Sequence, residues 1–236
     1  MNPLNKYLRN LYRGVIDFAA PRYCLVCGEL IESDSADNPY LCSKCEDSIA
    51  FAPDSKAIIA RIWDSFGSEN TFIDRANSLI SLKENSSVME LIYNMKYGGI
   101  RNVGTVLGRK LGKVLIKEDN TDYDIIHPVP IHYVRKRERG FNQSYYIAKG
   151  ISEVINVPIF TENLFRTEYT QTQTQLSHTE RATNMLDKFD SMKSLNRQKL
   201  LLVDDVITTG ATINNCAKSA KSAGAVFVGA ASLVLA

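Results

Sequence analysis

LLLVDDVITTGAT, residues 200–212, is the stretch whose reading decides the fold. Leu200, Leu201, Leu202 and Val203 form a continuous apolar run, the pattern of a strand covered on both faces of a parallel sheet. Asp204 and Asp205 close the run, and Val206 leads into a turn. Thr208, Thr209, Gly210, Ala211 and Thr212 then bring backbone N–H groups and three hydroxyls to a helix start, which is a cradle for phosphate. Gly210 supplies a backbone geometry that a Cβ obstructs. The two acids suit hydrogen bonds from sugar hydroxyls, and they also suit a Mg2+-bound substrate. An ordinary strand, turn and Thr-capped helix has no use for two acids beside so many phosphate-type donors.

This order of parts resembles the phosphoribosyl pyrophosphate (PRPP) motif of type I phosphoribosyltransferases: apolar residues, two acids, then T-T-G-x-T. The resemblance implies that Asp204 and Asp205 contact the ribose 2′- and 3′-hydroxyls. It implies that Val206 and the loop Thr208, Thr209, Gly210, Ala211 and Thr212 bind PRPP through its 5′-phosphate, with Mg2+ accompanying the ligand.

Outward from the motif, a helix is predicted over 212–223 and a closing strand over 226–235. Upstream, strands are predicted over 75–82, 124–129, within 157–166 and over 199–204. Helices are predicted over 88–97 (capped by Ser87 and ended by Gly98 and Gly99), 103–116 and 144–155. Strands alternating with helices define an α/β domain with a mainly parallel sheet. Phosphate ligands of such sheets bind at the carboxyl ends of the strands. Residues 51–70 read as a connector of mixed character. The division expected is an N-terminal helix and metal region over 1–60 and a phosphoribosyltransferase-like domain over 71–236.

Five cysteines occur, and four of them are paired as C-x2-C-x14-C-x2-C at Cys24, Cys27, Cys42 and Cys45. Two such knuckles complete a tetrahedron of thiolates, the arrangement of a structural Zn2+ site with no position left for a catalytic water. Gly28 follows Cys27, where a knuckle turn uses left-handed geometry. Cys216, within the motif helix, reads as a small buried residue.

The chain has 236 residues, 44% hydrophobic and 23% charged, with a formal net charge of +2. That balance is ordinary for a globular protein and demands no polyanionic partner. No run is long enough to span a membrane. The first twenty residues read as an amphipathic helix without a signal-peptide core, which points to the cytoplasm.

Three further segments carry candidate chemistry. In DIIHPVPIH (124–132) a strand enters a loop stiffened by Pro128 and Pro130, with His127 and His132 as acid–base candidates or structural residues. In RKRERGFNQ (135–143) Arg135, Arg137 and Arg139 suit either pyrophosphate or a nucleic-acid backbone. The segment opens a helix with Asn142 as a cap. Nearby Tyr133, Phe141, Tyr145 and Tyr146 suit base stacking or the core, and the core is the better reading for the last two. The polar stretch 166–184 reads as a water-excluding lid or a disordered surface loop.

Together these elements resemble the ComF family of competence-associated, phosphoribosyltransferase-like proteins. Besides the four cysteines and the PRPP motif, the matches are K-Y-x-G at Lys96, Tyr97 and Gly99, and PVP at Pro128 to Pro130. R-G-F-N-Q runs from Arg139 to Gln143, T-x-x-Q-x-x-L covers Thr170, Gln173 and Leu176, and R-x-x-N covers Arg181 and Asn184, with Phe189 next. The resemblance implies a type I phosphoribosyltransferase fold, a zinc-bearing N-terminal region and a role in natural transformation. It also implies the handling of single-stranded DNA alongside helicase and recombination proteins. It names no acceptor base.

Overall fold

The computed structural model describes residues 21–31, 38–82, 88–166, 189–191 and 194–236. The elements are α1 (Ser43–Asp47), α2 (Ser55–Phe66), β1 (Arg75–Ser81), α3 (Val88–Tyr97), α4 (Arg101–Lys117), β2 (Ile125–Pro128), α5 (Tyr133–Arg139) and α6 (Gln143–Ile155). They continue with β3 (Leu164–Arg166), β4 (Phe189–Ser191), β5 (Lys199–Ile207), α7 (Ala211–Ser222) and β6 (Phe227–Leu235). The expected N-terminal helix, the Ser87 cap and most of the 166–184 stretch lie outside the described residues.

A four-stranded parallel sheet runs β1-β6-β5-β2, with the motif strand β5 between β6 and β2. Leu200, Leu201, Leu202 and Val203 are fully buried, as a strand covered on both faces requires. Leu200 and Leu202 belong to a layer with Ile58, Ile59 and Ile62 of α2 and Ile213, Cys216 and Ala217 of α7. Leu201 and Val203 belong to the opposite layer, with Met95 of α3, Leu107 and Leu111 of α4, and Ile147 and Ile151 of α6. The short strand expected within 157–166 takes two forms. Ile159 bridges Ile126 in parallel beside β2, and β3 leaves the sheet to pair antiparallel with β4.

The segment expected to be a connector contains a helix. Asp54 caps α2, its carboxylate accepting from Ala57 N at 2.9 Å, and Gly67 ends it. Ile58, Ile59 and Ile62 are buried together because they recur at helical spacing, so burial of that face holds the helix on the sheet. The charge run 135–139 is likewise helical, as α5.

Candidate functional site

The acids stand at the carboxyl end of the central strand, where β5 delivers them beside the start of α6. Asp204 Oδ1 accepts from Ser144 Oγ at 3.1 Å and from the Asp205 backbone N–H at 2.8 Å. Ser144 is placed there by the Asn142 cap, whose side chain accepts from Ser144 N at 3.1 Å and donates to Val129 O at 3.0 Å. Asp205 Oδ2 pairs with Lys96 Nζ at 2.8 Å, both side chains being largely buried. Loss of solvent around the Asp204 carboxyl, and then the charge of Asp205 beside it, push its pKa up to about 7. The Asp205 N–H, Ser144 and Lys96 oppose that rise.

The loop after the acids closes on a small cavity of ≈ 50 Å³ lined by Asp204, Val206, Ile207, Thr208, Thr209, Gly210, Ala211, Thr212 and Ile213. Gly210 has φ +85°, the left-handed region, and turns the chain into α7. A Cβ there would lie 3.3 Å from Ile62 Cγ1, so α2 forms the floor beneath the loop. Thr209 Oγ1 accepts from Ala211 N at 3.3 Å. Asn214, one turn into α7, accepts from Phe72 N and donates to Asn70 O, fixing the helix start against the chain that follows α2. The N-terminus of a twelve-residue helix faces the cavity, which favours an anion there.

Arg139 is turned into its own corner of the fold. Arg139 lies over the Tyr97 ring at 5.0 Å, donates to Tyr97 Oη at 3.0 Å and reaches Gln143 Oε1 at 3.3 Å. Arg137 is exposed on α5, and the side chain of Arg135 lies outside the description. The R-G-F-N-Q element is thus a helix-to-helix corner: Arg139 ends α5, Phe141 is buried, Asn142 caps α6 and Gln143 holds Arg139. His127 is buried between Pro128 O at 2.9 Å and Leu164 N at 3.2 Å, and burial lowers its pKa to about 4. It is a neutral structural ring, not an acid–base group at neutral pH.

Two residues that carry the site escaped the sequence reading. Ser144 precedes Asp204 by sixty positions, and only the fold joins them. Lys96 stood in the K-Y-x-G element, whose signal gave no partner. Tyr145 reads as core from the sequence, yet it is 39% exposed. It lines an open groove of ≈ 630 Å³ with Tyr133, Lys136, Phe165 and Arg166.

The four cysteines meet. Their Sγ atoms all lie within 4.8 Å of one another, and Cys27 Sγ to Cys42 Sγ is 3.7 Å. A tetrahedron with Zn–S bonds of about 2.3 Å has edges of roughly 3.8 Å, so the set fits zinc. Gly28 has φ +73° and donates to Cys24 O at 2.8 Å, the expected knuckle turn. Cys42 caps α1, its sulfur accepting from Cys45 N at 3.5 Å. Burial works against the Cys24 thiolate, but the backbone N–H groups of Cys27, Cys42 and Val26 outweigh it and lower its pKa to about 6. Burial and the other three sulfurs push Cys45 upward. Cys216 is fully buried in α7, and desolvation raises its pKa, in keeping with a packing role.

The sheet, with its acids and phosphate-type loop at the carboxyl end of the central strand, defines a type I phosphoribosyltransferase-like α/β protein with an N-terminal four-cysteine centre. No family model matches the chain. It is 34% identical over 104 residues to competence protein F of Haemophilus influenzae, covering 43% of this chain and 45% of that protein. It is 30% identical over 132 residues to the DNA utilization protein YhgH of Escherichia coli K12, covering 54% and 58%. The chain therefore spans about half the length of these two relatives. Identity to competence protein ComFC of Bacillus subtilis is 22% over 197 residues, 84% of this chain and 77% of that protein. Among solved structures, the glutamine PRPP amidotransferase of B. subtilis overlaps with a TM-score of 0.37 at 23% identity, over 54% of this chain and 26% of that one. A purine phosphoribosyltransferase of Pyrococcus horikoshii overlaps at 0.36 and 17%, over 55% and 71%. These relatives are competence and DNA-utilization proteins, in keeping with the ComF resemblance read from the sequence. Among the described residues, no helix is long and apolar enough to cross a membrane.

Proposed function

We propose that the protein binds Mg2+-PRPP and transfers its phosphoribosyl group to a nitrogen acceptor, in the service of DNA uptake and use. The observation that carries this reading is the pairing of Asp204 and Asp205 with the Gly210 turn and the α7 N-terminus at one strand end. Asp204 and Asp205 receive the ribose hydroxyls, while Val206 and the loop residues Thr208 to Thr212 surround the 5′-phosphate. Mg2+ bound with the pyrophosphate would supply charge neutralisation to that leaving group. The positive charge that develops on the ribose is stabilised by the fixed carboxylates of the strand end. The competence and DNA-utilization names of the relatives supply the setting. Zinc at Cys24, Cys27, Cys42 and Cys45 serves structure.

Calorimetric titration with PRPP, with and without Mg2+, tests the site. Tight binding that needs Mg2+ and falls at least a hundredfold in Asp204→Asn/Asp205→Asn is the expected result. Binding unchanged in that folded variant would remove the acids from the site.

A second reading rests on the groove beside α5 and α6, where exposed Tyr133, Tyr145 and Phe165 stand with Lys136. Exposed aromatics interleaved with cations suit unpaired bases and a phosphate backbone. On this reading the chain binds single-stranded DNA with strong salt dependence. Fluorescence anisotropy with a labelled oligonucleotide should weaken for Tyr145→Ala, and salt-insensitive binding would count against it.

A further inference from the structure

The K-Y-x-G element has no part in the chemistry proposed above, yet its two side chains reach one acid of the site and the R-G-F-N-Q corner. Lys96 and Tyr97 are consecutive at the end of α3. Lys96 holds Asp205 at 2.8 Å, and Tyr97 holds Arg139 through its hydroxyl and its ring. The turn at Gly98 and Gly99 that follows sets where this helix end stops. Its inner face is anchored by Leu91, Ile92 and Met95, which are fully buried, so the ammonium is presented from a rigid support.

An ion pair at this place is an obstacle as well as a support. Asp205 cannot serve a ribose hydroxyl or a hydrated metal ion with full strength while Lys96 occupies Oδ2. A largely buried ammonium displaced from its carboxylate must find another anion, since an unpaired buried charge is costly. PRPP carries that anion: its pyrophosphate is attached at C1, next to the hydroxyl-bearing carbons that the acids receive. Ribose 5-phosphate has the same hydroxyls and the same 5′-phosphate, but nothing to take the ammonium.

We propose that Lys96 is the residue that makes the site selective for a pyrophosphate-bearing sugar: it occupies Asp205 in the free protein and passes to the pyrophosphate when the sugar takes Asp205. This inference rests on the PRPP reading of the site and adds a specificity residue to it. Arg139, at the end of α5, is held against this helix end by the neighbouring Tyr97.

The test compares PRPP with ribose 5-phosphate by calorimetry, in Mg2+, on the full zinc-loaded chain and on Lys96→Met and Lys96→Arg. Lys96→Met should weaken PRPP at least tenfold, a loss of about 1.4 kcal/mol. It should leave ribose 5-phosphate unchanged or tighter, because the competitor for Asp205 is gone. Lys96→Arg, which keeps the charge, should restore most of the PRPP affinity. Equal losses for both ligands would make Lys96 a purely structural residue, and no loss for PRPP would place the pyrophosphate elsewhere. Either result overturns this proposal while leaving PRPP binding by the native chain intact. A native chain that binds neither ligand overturns the PRPP reading and this inference together. Melting curves of both variants distinguish misfolding from a local effect, and the ribose 5-phosphate arm reads the fold of the site directly.

Discussion

At the scale of single residues, two adjacent carboxylates at a strand end are an electrostatic burden on the folded protein. Asp205 is paired with Lys96, while Asp204 is hydrogen-bonded by Ser144 and the Asp205 N–H and feels the Lys96 charge without a direct ion pair. The consequence for stability has a definite sign. The Asp204 carboxyl gives up its proton near pH 4 in the unfolded chain, but near pH 7 in the folded one, because it is desolvated and sits beside Asp205. Between these values the folded state binds more protons, so stability falls as pH rises from about 4 to about 7. Asp204→Asn keeps an oxygen for Ser144 and never charges. It should melt higher than the native chain at pH 8, by at least about 2 °C given roughly 2–4 °C per kcal/mol at this size. The gain should vanish near pH 4. Scanning fluorimetry across pH, without PRPP or Mg2+, reads this directly, and identical melting curves at pH 8 would show that the charge of Asp204 is already compensated.

At the scale of elements, the sequence was most legible where periodicity and punctuation agree. The bounds of α3 at 88–97 were predicted as found, because an apolar period ends at two glycines. The buried strand and acid pair of β5 were plain from one contiguous stretch. By contrast, α2 was missed although Asp54, Gly67 and the buried Ile58, Ile59 and Ile62 mark it, since Lys56, Arg61 and Trp63 on the outer side blur the pattern. The RKRER run of α5 reads as charge before it reads as helix. The contacts of Lys96 and Ser144 with the acids were illegible, because they depend on how α3 and α6 dock and not on local pattern. The docking of α4 on α6 is governed by glycines. A Cβ on Gly150 would fall 2.1 Å from Thr105 O and 2.7 Å from Arg109 N, which are backbone atoms that cannot turn aside. Gly150→Ala should therefore force the helices apart, at about 1–3 kcal/mol or more. That corresponds to a melting point lower by roughly 2–12 °C. A melt within about 1 °C of the native chain would mean that the pair of helices separates freely.

At the scale of the whole molecule, the cysteine centre and the candidate site are joined through one helix. Cys24, Ile31 and Leu41 of the metal region share a cluster with Leu91 of α3, and Leu25 and Ile49 reach the sheet's own core layer. Lys110 of α4 pairs with Glu46 of α1 on the other side. The far end of α3 carries Lys96 to Asp205. A structural metal ordering the two knuckles would thus hold α3 from one end, while Lys96 meets Asp205 at the other. We predict one zinc per chain by elemental analysis and its loss in Cys42→Ser/Cys45→Ser. Because the two remaining cysteines cannot complete a four-thiolate site, that variant should melt several degrees lower. It should also bind PRPP several-fold more weakly than the native chain, although no cysteine lines the cavity beneath the acids. Calorimetry well below the variant's melting point separates the two effects. A variant that melts early but keeps its full PRPP affinity would show that the metal region and the sugar site are independent, and that α3 is held in place by the sheet alone.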